Sequence, residues 1–146
     1  MIDFETIAHT ADLKIRVYGA TYEELFKNAL IGMFTSIHPI THSCSYKNER
    51  LVCKELNKHH DLKIQAIDME SLLVAFLSEA LYYSDTNDEA YLNVSFTTMT
   101  DHLAKGTIYG VSVQGFEVVE IKAVTYHDLH IKKINGILQT DIVFDI

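Results

Sequence analysis

Leu13, Ile15 and Val17 alternate with Lys14, Arg16 and Tyr18, the period-two pattern of a strand with one face buried and one face in water. Gly19 closes that strand. Thr21-Tyr22-Glu23-Glu24 then reads as a capping box, with the hydroxyl accepting from the first turn and the Glu24 carboxylate reaching back to the cap amide. Behind it, Leu25, Phe26, Ala29, Leu30, Met33 and Phe34 fall on one face at helical spacing and predict a helix buried against a sheet. The middle of the chain repeats the arrangement weakly. Strand-like Arg50 to Leu56 is followed by a polar break at Asn57-Lys58-His59-His60, strand-like Leu62 to Ala66, and Asp68 as a second N-cap. Leu72, Leu73, Phe76, Leu77, Ala80 and Leu81 make a second amphipathic helix, expected to stop near Asp85, where Ser84 to Asp88 supplies turn residues.

From Ala90 onward the pattern is almost all β. Tyr91 to Met99, Thr107 to Val113, Val118 to Tyr126, His130 to Ile134 and Ile137 to Phe144 each read as a strand. Asn135-Gly136 between the last two predicts a two-residue hairpin turn, because both central residues of a type I′ turn need positive φ. The expected architecture is α+β, an antiparallel-rich β-sheet packed against two amphipathic α-helices, in one domain spanning residues 1–146.

Composition narrows this picture without changing it. A chain of 146 residues with 48% hydrophobic and 22% charged residues, one proline and no tryptophan is an ordinary globular domain, long enough to bury about two thirds of its unfolded surface. No disulfide or structural metal is needed to hold it. Pro39 sits in the polar stretch His38 to Asn48, which lacks helical periodicity. The formal charge of −8 and the scattered Lys and Arg exclude a protein that wraps nucleic acid by itself, so any RNA-linked role is expected to run through a partner or a cation. Cys44 and Cys53 form no CxxC pair and suggest neither a zinc site nor a redox centre. A reducing, cytoplasmic setting is the simplest expectation. The acidic start is unlike a secretory signal or transit peptide, and no apolar run approaches the roughly 20 residues of a membrane span.

Two places carry candidate chemistry. Asp12 begins the first strand pattern after His9-Thr10-Ala11. Such residues also cap backbone amides at strand entries, and the residues alone leave a plain turn open. At the other end, Asp145 places a side-chain carboxylate beside the α-carboxylate of Ile146. Neighbouring anions repel unless a cation, an arginine or a proton compensates them. If Asp12 faces them, three oxygen-donor groups converge, which suits Ca²⁺ or Mg²⁺ better than zinc; a solvated, frayed chain end is the alternative. Tyr126-His127 brings a phenol and an imidazole to a strand end, where they could orient a carboxylate or simply satisfy a loop carbonyl. His38, His42, His59, His60 and His102 lack ligand spacing. No phosphate loop, GxSxG elbow or HExxH is present.

These segments, in this order, resemble the archease family. The likeness rests on Ala8-His9-Thr10-Ala11-Asp12 followed by a short strand and Tyr18-Gly19, on Thr21 to Asn28, on Lys122-Ala123-Val124-Thr125-Tyr126-His127, and on the terminal Asp145-Ile146. It spans essentially the whole chain. It implies a non-catalytic cofactor that promotes guanylylation and multiple turnover of the GTP- and metal-dependent RNA-splicing ligase of tRNA maturation, touching RNA only through that partner and with no membrane role. It also implies a divalent cation, Ca²⁺ ahead of Mg²⁺ or Mn²⁺, held by Asp12, Asp145 and Ile146, with His9, Thr10, Tyr126 and His127 as supporting residues. Family members often carry an acidic residue just before the His-Thr-Ala-Asp run; here it is Ala8. The rival expectations are a chaperone-like binding module for a tRNA-modifying enzyme such as a methyltransferase and, weakest, a metal-dependent hydrolase, for which no nucleophile stands beside the metal.

Overall fold

The computed structural model describes residues 2–7 and 12–146. Its elements in chain order are β1 (Phe4–Ile7), β2 (Leu13–Gly19), α1 (Tyr22–Ser36), β3 (Cys44–Lys47), β4 (Arg50–Cys53), β5 (Lys58–Gln65), α2 (Met69–Asn87), β6 (Glu89–Met99), β7 (Leu103–Ser112), β8 (Ala123–Val124), β9 (Lys132–Ile134) and β10 (Ile137–Asp145). The chain is α+β with antiparallel pairing between its strands. The strands divide among three sheets. A five-stranded sheet runs β1-β2-β10-β8 with β9 also on β10, a three-stranded sheet runs β5-β7-β6, and β3-β4 is a hairpin.

Both helices start where their caps place them. Thr21 is extended, and its Oγ1 accepts from the Glu24 N–H at 3.1 Å. Glu24 returns the bond to the Ala20 N–H, one residue earlier than a capping box requires. Asp68 accepts from the Ser71 N–H at 2.8 Å. The second helix runs on to Asn87 because Leu81 and Ser84 are still buried and the turn residues beyond them complete that turn. Asp88 then ends it in the left-handed region, φ 54°, donating its N–H to the Ser84 carbonyl. Asn135 and Gly136, at φ 52° and 80°, form the expected tight turn between β9 and β10.

α1 packs on β2 of the larger sheet and on β6 of the three-stranded one, so its apolar stripe joins the two. A Cβ on Gly32 would lie 2.9 Å from the Phe4 ring and 3.1 Å from Ile15. That close approach explains a glycine in a helix interior, where it costs about 1 kcal/mol relative to alanine. α2 covers β5, β6 and β7. Among the described residues no helix is long and apolar enough to cross a membrane.

Several segments depart from their sequence patterns. β1 and β3 form in stretches read as merely polar, and β5 begins at Lys58, inside the expected break. β4 stops at Cys53, short of Leu56. Of Val118 to Tyr126 only Ala123 and Val124 pair as strand, because the earlier part is tied to the loop after α1, with Glu117 and Val118 donating to the His38 and Ile37 carbonyls. A disulfide is present although none was expected to be needed and a reducing setting was the simplest expectation: Cys44 and Cys53 are bonded. They face each other across the β3–β4 ladder, with Cα atoms 4.0 Å apart. The turn that sets this register is Asn48-Glu49, both at positive φ, a type I′ turn without the glycine that usually announces one.

Candidate site at the open end of the large sheet

β10 lies antiparallel to β2, and their register runs from Leu138↔Gly19 to Phe144↔Leu13. The residues that follow this last pair are Asp145 on one strand and Asp12 on the other. Side chains alternate across a sheet, so the buried Ile15, Val17, Ile142 and Phe144 face α1. Lys14 and Arg16 share the opposite face with Asp141, Val143 and Asp145, and Val143 is buried there; Asp12 precedes β2 at the end where Asp145 lies. Sequence reasoning placed Asp12 and Asp145 at opposite ends of the chain; the ladder brings them to the same end of neighbouring strands.

β8 holds the third segment beside them. Ala123 pairs with Asp145, and the Lys122 N–H donates to the Asp145 carbonyl at 2.7 Å. Thr125 fixes the strand twice, with its N–H and its hydroxyl both donating to the Val143 carbonyl at 3.0 and 2.9 Å. Tyr126 and His127 leave from this anchor into a turn closed by the Leu129 N–H on the Tyr126 carbonyl. Tyr126 is exposed, and His127 Nε2 lies 3.5 Å from Asp128 Oδ2. His9 and Thr10 lie outside the described residues, as does Ala8. Ile146 follows β10 and is partly exposed. Among the described residues no three His, Cys, Asp or Glu side chains group to hold a metal ion; the expected donor set has two side-chain carboxylates and one terminal one.

The face opposite α1 also carries charges that were not singled out from sequence. Arg16 lies between Asp141 on β10 and Glu5 on β1 in the register. It holds Asp141 in a two-pronged bond of 2.7 and 3.1 Å and stands 3.8 Å from Glu5. The Tyr18 hydroxyl donates to Glu5 at 3.0 Å. Lys14 Nζ lies 3.4 Å from Asp128 and 3.6 Å from Asp141. The alternation of Lys14 and Arg16 marked them as outward-facing, but Asp128 and Asp141, which they meet, are more than a hundred residues away in the chain.

The Arg16 hydrogen bond holds the Asp141 carboxyl below its ordinary range, against the opposing effect of burial, with help from the charges of Arg16 and Lys14. A depressed folded pKa means a stability contribution present above the unfolded carboxylate value of about 3.9 and lost as pH falls through the folded value. Asp141→Asn is therefore expected to cost about 1 kcal/mol at neutral pH, the discounted worth of a partly buried pair. Urea titrations of variant and wild type should converge in acid; a gap independent of pH would refute this account.

The sequence model of the Archease protein family matches residues 4–146. Protein archease of Methanosarcina mazei is 34% identical over 151 residues, covering 98% of this chain and 95% of that protein. Protein archease of Thermoplasma acidophilum is 34% identical over 147 residues, covering 99% and 94%. Among solved structures, the solution structure of a Methanobacterium thermoautotrophicum protein superposes with a TM-score of 0.73 at 28% identity, covering 99% of both chains. A crystal structure from Thermotoga maritima, of an archease described as a possible chaperone, superposes with a TM-score of 0.63 over 97% of this chain and 96% of that one. At 20% identity it speaks for the fold alone.

Proposed function

The chain belongs to the archease family, and from that premise we propose that it is a protein cofactor, not itself a catalyst, for the GTP- and metal-dependent RNA ligase of tRNA splicing. The observation that carries the reading is the placement of Asp12 and Asp145 at the same end of adjacent strands. Carboxylates that meet at one end of adjacent strands suit one hard cation with oxygen ligands at about 2.3–2.6 Å. Asp12, Asp145 and the carboxylate of Ile146 would hold it, Ca²⁺ first and Mg²⁺ or Mn²⁺ otherwise. The bound ion would supply positive charge and Lewis acidity at this pole.

The protein's own contribution is positional. The β2–β10 ladder ends at Leu13 and Phe144, the residues next to the two aspartates, and Thr125 and Lys122 clamp the neighbouring segment to β10. A net charge of −8 complements an RNA-binding partner and steers the encounter. RNA is met through that partner.

The test is a ligation assay with limiting ligase. Wild-type protein is expected to support repeated turnover, and Asp12→Ala to fall to the level of ligase alone while its urea midpoint stays put. Full stimulation by the variant would sink the proposal. A C-terminal tag is expected to impair stimulation where an N-terminal tag does not; equal activity of the two would remove Ile146 from the site. The second reading is a chaperone-like module for a tRNA-modifying enzyme such as a methyltransferase. That reading expects stoichiometric protection of the enzyme from aggregation, undiminished in Asp12→Ala.

A further inference from the structure

We propose that the outer edge of β1 and the β3–β4 hairpin form a docking groove for an extended, basic segment of a partner protein, which adds to β1 as a further antiparallel strand. This goes beyond the cation pole and does not rest on it. β1 ends the five-stranded sheet and pairs only with β2 among the described residues. In an antiparallel ladder, pairs that exchange hydrogen bonds alternate with pairs that do not. The Tyr18 N–H donates to the Asp3 carbonyl, so with the printed register the bonded pairs are Asp3/Tyr18, Glu5/Arg16 and Ile7/Lys14. The N–H and C=O groups of Phe4 and Thr6 therefore point away from β2, toward the free edge. β1 has no proline, lysine or bulge, three of the devices that blunt such an edge; its shortness and Glu5 are the ones it has.

That edge opens onto a groove of about 980 Å³, lined by every residue from Ile2 to Thr6 and, across from them, by Tyr46 and residues 48–50 of the hairpin. Phe4, Glu5 and Thr6 are consecutive, so residues of both faces of β1 line the groove, which therefore reaches the strand's edge. Thr35 and Ser36, at the end of α1, also line it, and their buried hydroxyls have no hydrogen-bond partner among the described residues. Thr35 is 4% exposed. An incoming backbone offers donors and acceptors to Phe4 and Thr6.

Charge selects the occupant. Asp3, Glu5 and Glu49 line the groove; Arg50 is bonded to Asp3 at 2.6 Å and Arg16 stands 3.8 Å from Glu5, which leaves the Glu49 carboxylate over among the described residues. The groove keeps this excess of negative charge, in a protein of net charge −8. A second copy of this chain would bring the same acidic edge, and like charges across paired strands are destabilising. A segment with Lys or Arg at alternate positions meets the carboxylates while its backbone satisfies the edge, the strand-addition mode of peptide recognition.

The test uses the full chain, a fluorescent peptide of about nine residues alternating lysine and valine, fluorescence anisotropy, and EDTA throughout, so that a failure here says nothing about the cation pole. Wild type is expected to bind in a salt-sensitive manner. Thr6→Pro removes one outward N–H and leaves the β1–β2 ladder whole; binding should weaken about tenfold, the worth of one backbone hydrogen bond. Glu49→Lys should weaken it and flatten the salt dependence. A peptide N-methylated at alternate residues tests the same hydrogen bonds on the unaltered protein and should not bind. The proposal is overturned if the lysine–valine peptide does not bind, if an alternating glutamate–valine peptide binds as well, or if the N-methylated peptide binds unchanged. Wild-type dimers in sedimentation that Thr6→Pro converts to monomers would also overturn it, by giving the edge to a second copy.

Discussion

Phe76→Ala should lower the unfolding free energy by about 3–5 kcal/mol, the usual cost of emptying a buried phenylalanine site. Phe76 is fully buried on α2. Its ring lies 5.6 Å from that of Phe26 on α1 and 5.5 Å from that of Phe96 on β6, and Phe26 meets Phe96 edge to face at 6.1 Å. One side chain thus joins both helices to the three-stranded sheet, and no neighbour can collapse into its place without leaving another. Each such ring pair adds about 0.5–1.5 kcal/mol beyond area burial. Phe76→Leu keeps most of the volume and should cost no more than about 1.5 kcal/mol. Urea melts check this. The midpoint should fall with little change in slope, and the melting temperature should drop by roughly 10–20 °C for the alanine variant. A loss below that of the leucine variant would mean the three rings are not one packing unit.

Glu89→Ala is expected to cost about 3 kcal/mol, through a different mechanism. Glu89 is buried at the start of β6. Its Oε1 accepts from the Tyr91 hydroxyl at 2.7 Å and lies 2.7 Å from His60 Nε2. Tyr91 is fully buried, and burial, followed by this hydrogen bond, drives its phenol far above the ordinary range. The His60 ring stacks on Tyr83 of α2 at 4.6 Å and meets Tyr91 edge-on at 5.7 Å. Removing the carboxylate leaves a buried hydroxyl without an acceptor, the expensive half of any hydrogen-bond deletion. Glu89→Gln keeps an acceptor oxygen and should lose about 1 kcal/mol. In Glu89→Ala/Tyr91→Phe both partners are gone, so the double variant should be less unstable than the two single losses added together. Strict additivity would show that the pair is not coupled.

The site was legible in unequal parts. Asp12 and Asp145 stood out as polar residues at the ends of apolar patterns, but nothing in either segment states that they are neighbours. That depends on β10 lying beside β2 in the register that pairs Phe144 with Leu13, a contact across most of the chain. Arg16 and Asp141 are separated in the same way, so their two-pronged bond was invisible from spacing. His60 was read as part of a polar break, yet it sits in β5 with its ring between two tyrosines. Alternation failed there because β5 is an edge strand, where polar residues are tolerated on positions that a central strand would fill with apolar ones.

What the sequence determined by itself was local. The Thr21 and Asp68 caps, the apolar stripes of both helices, the β2 alternation and the Asn135-Gly136 turn all depend on residues within a few positions of one another, where backbone sterics and short-range hydrogen bonds decide the conformation. Tertiary structure alone decided the division of strands into three sheets, the late end of α2, the pairing of Cys44 with Cys53, and the meeting of the two chain ends at one end of the large sheet. The physical reason is that these depend on which strand edges find each other. Any strand offers the same backbone groups to a neighbour, and the choice among neighbours is made by the burial of α1 and α2 against the completed sheets.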